Sequence, residues 1–318
     1  MKKRTRRFLK FTFFTTAAVG ILHFINKYIE NNSYLNSLDD FENYEIYSWR
    51  HGDISYKVKG DGKPLLLVHD LIPGSGSFEW DKIIDVLSEQ YKVYAIDLLG
   101  FANSDKVGIT YTNFLYVQLI TDFIEDVIQE KTSVIANGFS SSIISMANLY
   151  KQELIDKLVF VNPDSPTKLS DVPGFLDGFY KNIIKIPVLG TFIYNLNVSR
   201  EAFRNMCYER LFHDPFNVTE NLLDKFYESA HIDTYNAKFF YASFKSKFIN
   251  ANIEESIVNL NNPVLIISGE YESNRTTIVE EYLALNPDIN TNTIEDSRHY
   301  PHMECSEHFT EVLLTWLA

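Results

Sequence analysis

Cysteine is scarce in this chain of 318 residues, which contains only Cys207 and Cys305. Two cysteines cannot form the disulfide framework of a small secreted scaffold. They also lack the spacing of a structural zinc site, and no other residue cluster in the sequence suggests metal ligands. The sequence therefore implies no metal, and no cysteine after the N-terminal apolar run could carry a lipid.

Basic residues are scarce outside the first thirty positions. Residues 1–30 hold seven of the 29 Lys and Arg residues and one of the 42 Asp and Glu residues. The remaining 22 basic residues face 41 acidic ones, a balance of −19. A body this acidic repels the phosphate backbones of DNA and RNA. We therefore expect no nucleic-acid partner.

The basic cluster MKKRTRR is followed by an apolar run from Phe8 to Ile25. This order is typical of a signal anchor whose positive end stays inside the cell, and the run just reaches the length that a bilayer requires. We predict a membrane segment over residues 1–30, a linker over residues 31–43, and a folded body facing outward. A signal peptide cleaved near Thr16–Ala18, which would give a secreted protein, and an amphipathic helix on the membrane surface remain alternatives.

The rest of the chain alternates between strand and helix patterns. A hairpin pattern, EIYSWRHGDISYKVKG, is followed by five apolar runs: PLLLVHD, KVYAID, TSVIAN, KLVFVN and PVLIIS. Helical patterns occur between them at Trp80–Gln90, Tyr116–Gln129 and Ile143–Lys151. Apolar strands alternating with amphipathic helices predict an α/β fold with a doubly wound, mostly parallel sheet. In such sheets the functional site lies at the carboxyl ends of the strands.

The alternation stops after Val161, where about a hundred residues show helical, aromatic-rich patterns and no comparable strand. We predict an all-helical cap over residues 163–261. The core would then consist of residues 44–162 and 262–318.

Four motifs follow one another in the core: LLLVHDLIPGSGSFEW, YKVYAIDLLGFANSDK, NPVLIISGEYES and DSRHYPHMECSEHF. In this order, and with a helical insertion, residues 44–318 resemble the α/β-hydrolase superfamily of the serine-hydrolase type. The resemblance implies that His299 is the catalytic base and Glu272 the acid that orients it. It also implies an oxyanion hole that uses the backbone amide of Leu71, and no cofactor. Two alternatives stay open, namely Asp164 as the acid and His302 as the base.

The nucleophile should lie within VIANGFSSSIIS, where a strand runs into three serines. The sharp bend that carries a nucleophile requires small residues two positions before and after it. Of the three serines only Ser140 has such neighbours, Gly138 and Ser142, so we predict Ser140 as the nucleophile and the amide of Ser141 as the second oxyanion donor. An alternative register places Phe139 at the bend and leaves no nucleophile. Carboxylate nucleophiles are disfavoured because the bend offers no Asp.

These residues together predict a serine hydrolase that forms an acyl-enzyme and cleaves carboxylic esters. The aromatic cap favours small lipophilic esters or acyl lipids as substrates. The alternative is a catalytically silent, hydrolase-like protein that binds a ligand or partner. Three departures from the family pattern support this alternative, because Asp70, Ser142 and Arg298 stand where glycine is usual.

Overall fold

The computed structural model describes residues 2–35, 37, 38 and 44–318, with side chains from residue 16 onward. Its centre is a single eight-stranded sheet with the order β1-β2-β4-β3-β5-β6-β7-β8. The pairs β1–β2 and β2–β4 are antiparallel, and all the others are parallel, which confirms the predicted sheet type. The strands are β1 (Glu45–Trp49), β2 (Gly52–Lys59), β3 (Lys63–Val68), β4 (Tyr91–Ile96), β5 (Thr132–Asn137), β6 (Ile155–Val161), β7 (Val264–Gly269) and β8 (Asn290–Ile294).

Helices make up most of the remaining chain. They are α1 (Lys2–Asn32), α2 (Asp81–Leu87), α3 (Asn113–Phe123), α4 (Ser140–Tyr150), α5 (Pro166–Leu169), α6 (Phe175–Lys185), α7 (Leu189–Asn197), α8 (Arg200–Met206), α9 (Glu220–His231), α10 (Thr234–Lys245), α11 (Glu254–Val258), α12 (Arg275–Leu285), α13 (Pro301–Glu304) and α14 (Ser306–Leu317).

Both faces of the sheet are covered, as the apolar strand sequences require. Successive strand residues point to opposite faces, so Leu66 packs in a core cluster with residues of α3 and α4. Leu65 and Leu67 instead pack with residues of α2 and α14. The sequence patterns did not predict β8, because its sequence NTNTI is polar and it lies at the sheet edge, where burial is incomplete.

Between β6 and β7 the chain forms seven helices, α5 to α11, in the span predicted to be the cap. Helices α6 to α10 pack around an apolar cluster that contains Phe203, Phe226 and Tyr241. Leu169 of α5 and Ile257 of α11 instead pack in the core cluster of the sheet. Tyr300 and Met303, which follow β8, belong to the cluster of Phe203. The helical insertion is therefore joined to the core through the segment that also carries His299.

The predicted membrane-spanning anchor is not supported. The N-terminal residues form α1, and its later part lies on α7, where Asn195 donates a hydrogen bond to the side-chain oxygen of Asn26 at 3.1 Å. Asn26 in turn donates to the carbonyl oxygen of Val188 at 2.9 Å. Within the described residues, no helix combines the length and apolar character needed to cross a bilayer. Positions 36 and 39–43 of the predicted linker lie outside the described residues.

Candidate active site

Loops at the carboxyl edge of the sheet bring four segments together. His69, Asp70 and Leu71 follow β3, and Gly138 and Phe139 join β5 to α4. Glu272 follows β7 and His299 follows β8. The position agrees with the rule that sites in parallel sheets form beyond the carboxyl ends of the strands.

The bend after β5 is made by Gly138, whose φ of +55° lies in the left-handed region. Phe139 caps α4, and Ser140 is already its first helical residue. The fully buried Ser140 hydroxyl donates to the carbonyl oxygen of His69 at 2.5 Å. No hydrogen bond joins Ser140 to His299, although both side chains are described. The prediction that Ser140 stands at the bend is therefore wrong, and so is the alternative with Phe139 there.

The spacing rule that selected Ser140 is also satisfied two residues earlier. The residues two positions before and after Gly138 are Ala136 and Ser140, and both are small. The rule led to Ser140 because, among the positions that satisfy it, Ser140 carries a hydroxyl and Gly138 carries no side chain. Glycine tolerates a left-handed backbone conformation without strain, but it supplies no nucleophilic side chain.

The predicted base and acid do meet. His299 Nδ1 lies 3.2 Å from Glu272 Oε2, and His299 Nε2 lies 2.9 Å from Asp70 Oδ2. Burial by itself would lower the pKa of His299, but the hydrogen bonds to the two carboxylates outweigh it and raise that pKa well above its usual value. His299 is therefore an imidazolium at neutral pH, held between two carboxylates.

The alternative acid and base are placed elsewhere. Asp164 forms an ion pair with Lys168 at 2.9 Å. His302 is fully buried and stacks on Trp80 with ring centroids 4.2 Å apart. Burial lowers the pKa of His302 well below its usual value, and neither ring nitrogen has a hydrogen-bond partner among the described residues. The structure therefore brings Glu272, and not Asp164, into contact with His299, and it holds His302 apart from both carboxylates.

Two backbone amides converge at the predicted oxyanion position, but a side chain of the same chain occupies it. The amides of Leu71 and Phe139 donate to Asp70 Oδ1 at 2.7 and 2.8 Å. Leu71 was predicted for this position. Ser141 was predicted wrongly, because its amide instead bonds the carbonyl oxygen of Gly138 within the first turn of the helix, at 3.2 Å.

Asp70 is the functional candidate that sequence reasoning missed. A Cβ atom on Gly138 would lie 2.3 Å from Cγ of Asp70 and 2.4 and 2.5 Å from its two oxygens. The carboxyl group thus fills the space in which a side chain at the bend would begin. The sequence signal consists of two departures from the family pattern, namely Asp instead of Gly after His69 and Gly instead of a nucleophile at the bend. Only the two together indicate that one carboxyl group fills the space left by the other residue.

Two buried residues position the loop that carries Asp70. Glu79 Oε2 accepts the Asp70 amide hydrogen at 3.2 Å, and Glu79 Oε1 accepts the hydroxyl hydrogen of Tyr300 at 3.2 Å. Burial, and next the charge of Asp70, raise the pKa of Glu79 to about 8, so this carboxyl is mostly protonated at neutral pH. His69 Nδ1 lies 2.6 Å from the Asp70 carbonyl oxygen, and His69 Nε2 accepts the amide hydrogen of Leu98 at 3.0 Å. Both ring nitrogens of His69 are thus bonded to the backbone of the surrounding loops.

A profile of the α/β hydrolase fold matches residues 63–305, most of the chain. The chain belongs to this family. A solved serine hydrolase involved in carbazole degradation superposes with a TM-score of 0.70, at 21% identity, over 86% of this chain and 98% of that chain. This likeness shows the fold.

Two curated relatives match shorter segments. The 2-hydroxy-6-oxo-6-(2'-aminophenyl)hexa-2,4-dienoic acid hydrolase of Metapseudomonas resinovorans is 30% identical over 108 residues, which is 33% of this chain. The soluble epoxide hydrolase of Corynebacterium sp. strain C12 is 26% identical over 107 residues, 34% of this chain. The match spans 37% of the length of each relative. The family therefore includes relatives that hydrolyse different kinds of bond.

Proposed function

We propose that this chain is a hydrolase of small organic molecules in which His299, oriented by Glu272, transfers protons. The observation that carries the proposal is the contact of His299 with Glu272 at one nitrogen, while its other nitrogen faces the group held by the amides of Leu71 and Phe139. A base fixed by a carboxylate, opposite a pair of amides that stabilise negative oxygen, is the machinery of hydrolysis in this fold.

An acyl-enzyme on Ser140 does not enter this proposal, because its hydroxyl is buried and bonded to the carbonyl oxygen of His69. A lipophilic substrate is favoured by a cavity of about 80 Å³ beside Pro73, three residues along the chain from Asp70, although its lining does not include Asp70, Glu272 or His299. Apolar side chains form most of its lining, including Val198, Phe203 and Met206. Carboxylic esters are one class within this proposal, and the outward location of the folded body stays a prediction.

The test measures turnover by the full chain of p-nitrophenyl esters of increasing acyl length, together with n-hexyl bromide and butyloxirane. His299→Gln should lower turnover of any accepted substrate by at least about a hundredfold, the usual contribution of a general base. Glu272→Gln should also lower turnover, because the ring of His299 loses its orienting partner. His308→Gln, at an exposed position of α14, is the matched control and should leave turnover unchanged.

A second candidate is a silent ligand-binding protein. One specific observation favours it, namely that Asp70 Oδ1 fills both amide positions in which a substrate oxygen would bind. Folded wild-type chain that turns over none of the probes would contradict the hydrolase proposal. Stabilisation of that inert chain by one of the same probes in a thermal unfolding assay would support the binding role.

A further inference from the structure

The bend of the site carries no side chain, because residue 138 is glycine, and the carboxylate of Asp70 lies in the space where that side chain would begin. Gly138 supplies no nucleophile, and the Cγ and both oxygens of Asp70 lie within 2.5 Å of the position where a Cβ of residue 138 would stand. An Asp at the bend together with Asp70 would leave no space for both carboxyl groups. The Asp70–Gly138 pair thus places a carboxylate at the centre of the site from another strand.

The two oxygens of Asp70 have different surroundings. Oδ1 accepts hydrogen bonds from the amides of Leu71 and Phe139, whereas Oδ2 faces Nε2 of His299. The Asp70 side chain is only 5% exposed, but those of His299 and Glu272 are 16% and 18% exposed. Oδ2 therefore faces the partly exposed His299 ring, whereas Oδ1 is bonded to the backbone.

We propose that Asp70 is the covalent nucleophile of this hydrolase and that its substrates carry a leaving group on a saturated carbon. The inference rests on the hydrolase function proposed above and gives it a substrate class. Carboxylates do act as nucleophiles that form covalent ester intermediates in enzymes. The placement of this one after β3, opposite a glycine at the bend, is particular to the geometry seen here.

The first step forms a bond between Oδ2 of Asp70 and the saturated carbon. The bond from that carbon to the leaving group breaks, and the electron pair departs with the leaving group, as halide ion or as the alkoxide of an opened epoxide, which takes a proton from solvent. The product is an alkyl ester of Asp70 whose carbonyl oxygen is Oδ1, still bonded to the amides of Leu71 and Phe139.

The second step hydrolyses this ester. His299 takes a proton from water, and the water oxygen bonds to Cγ of Asp70. Negative charge then develops on Oδ1, where the amides of Leu71 and Phe139 already point. Collapse breaks the bond between Cγ and Oδ2, and the alcohol leaves with Oδ2 and with the proton held by His299. The second hydrogen of that water then passes as a proton from the new carboxyl group of Asp70 to His299, which regenerates the carboxylate, with one oxygen from water, and the imidazolium.

The surroundings of His299 fit this sequence of steps. In the resting site its imidazolium lies between the carboxylates of Asp70 and Glu272. Esterification removes the charge of Asp70 and leaves Glu272 as the one carboxylate bonded to the ring. The pKa of His299 then falls, because one of the two hydrogen bonds that raise it is weakened. His299 then releases its Nε2 proton to solvent and becomes a base at the stage when water must be activated.

The amides of Leu71 and Phe139 are already bonded, and this favours attack on a saturated carbon of the substrate over attack on an acyl carbon. Attack on an acyl group creates an oxyanion on the substrate, which requires donors of its own. Both donors are already bonded to Oδ1 of Asp70. Displacement at a saturated carbon creates no such oxyanion, so the site can begin that reaction as it stands.

The test uses the full chain with His299→Gln, which blocks the second step but leaves Asp70 in place. This variant is treated with n-hexyl bromide or with butyloxirane and analysed by mass spectrometry after digestion. We expect one alkyl group on the peptide that contains Asp70, and the probe that labels identifies the leaving-group chemistry. Adding Asp70→Asn to His299→Gln should remove the label. Adding Asp81→Asn, at a partly exposed ion pair with Lys225, is the matched control and should keep it.

A second measurement separates this inference from the hydrolase proposal. Wild-type chain turning over a substrate in water labelled with heavy oxygen should incorporate the label into Asp70 during the first turnover, and Asp70→Asn should lose at least about a thousandfold in turnover. Turnover that depends on His299 but leaves Asp70 unlabelled overturns the nucleophile and keeps the hydrolase. A folded wild-type chain that neither turns over nor is alkylated by any probe overturns both.

Discussion

The steric dependence between Gly138 and Asp70 can be measured as a coupling energy. In Gly138→Ala the new Cβ would lie 2.3 Å from Cγ of Asp70, closer than real contacts allow, so the carboxyl group must move. A left-handed alanine costs about 1–2 kcal/mol. Displacing the carboxylate from two amides adds about 3 kcal/mol, since each hydrogen bond to a charged group contributes about 1.5 kcal/mol. We expect the free energy of unfolding to fall by about 4–5 kcal/mol.

The same substitution should cost less once the carboxylate is absent. In an Asp70→Gly background only the strain of about 1–2 kcal/mol remains, so the coupling energy of the pair should be about 3 kcal/mol. The assay is urea unfolding, followed by circular dichroism, of the four proteins of the double-mutant cycle. Gly178→Ala in α6 is the matched control, because no atom lies within 4 Å of its added Cβ, and its effect should add to that of Asp70→Gly. Additive effects of Gly138→Ala and Asp70→Gly, within about 0.5 kcal/mol, would refute the steric reasoning.

Three further predictions concern the same region. Ser140→Ala should lower stability by about 1 kcal/mol, the value of one hydrogen bond, and leave turnover unchanged, whereas loss of turnover would restore Ser140 as a catalytic candidate. The folded chain keeps the proton of Glu79 up to about pH 8, whereas the unfolded chain releases it near pH 4.5. As the pH rises from 4.5 to 8, the free energy of unfolding should therefore fall by about 1.4 kcal/mol per pH unit. In denaturant titrations at several pH values Glu79→Gln should remove this slope, and the exposed Glu307→Gln should keep it. The double variant Asp70→Gly with Gly138→Ser should gain labelling by a fluorophosphonate probe that wild-type chain lacks, and failure to label would contradict the assignment of residue 138 to the bend.

The core of the fold was predictable because burial on both faces leaves a strong sequence signal. The runs that became β3 to β7 each contain a continuous apolar stretch, and this pattern indicated them. The edge strand β8 carries no such signal, since half of its surroundings are solvent. The apolar N-terminal run was interpreted as a membrane segment, but the later part of α1 contacts α7 through the polar side chain of Asn26, while Val19, Ile21 and Phe24 are exposed.

His299 and Glu272 were identified from the sequence because each follows a strand within a motif of fixed spacing, and their contact depends on local loops at neighbouring strand ends. The occupant of the bend was decided by backbone conformation, because a one- or two-residue difference in where β5 ends selects among Gly138, Phe139 and Ser140. The sequence by itself thus determined most of the sheet and the family, and it predicted the contact between Glu272 and His299. Only the tertiary structure brought Asp70 into the space left by Gly138, because the two residues lie on different strands and their match is steric.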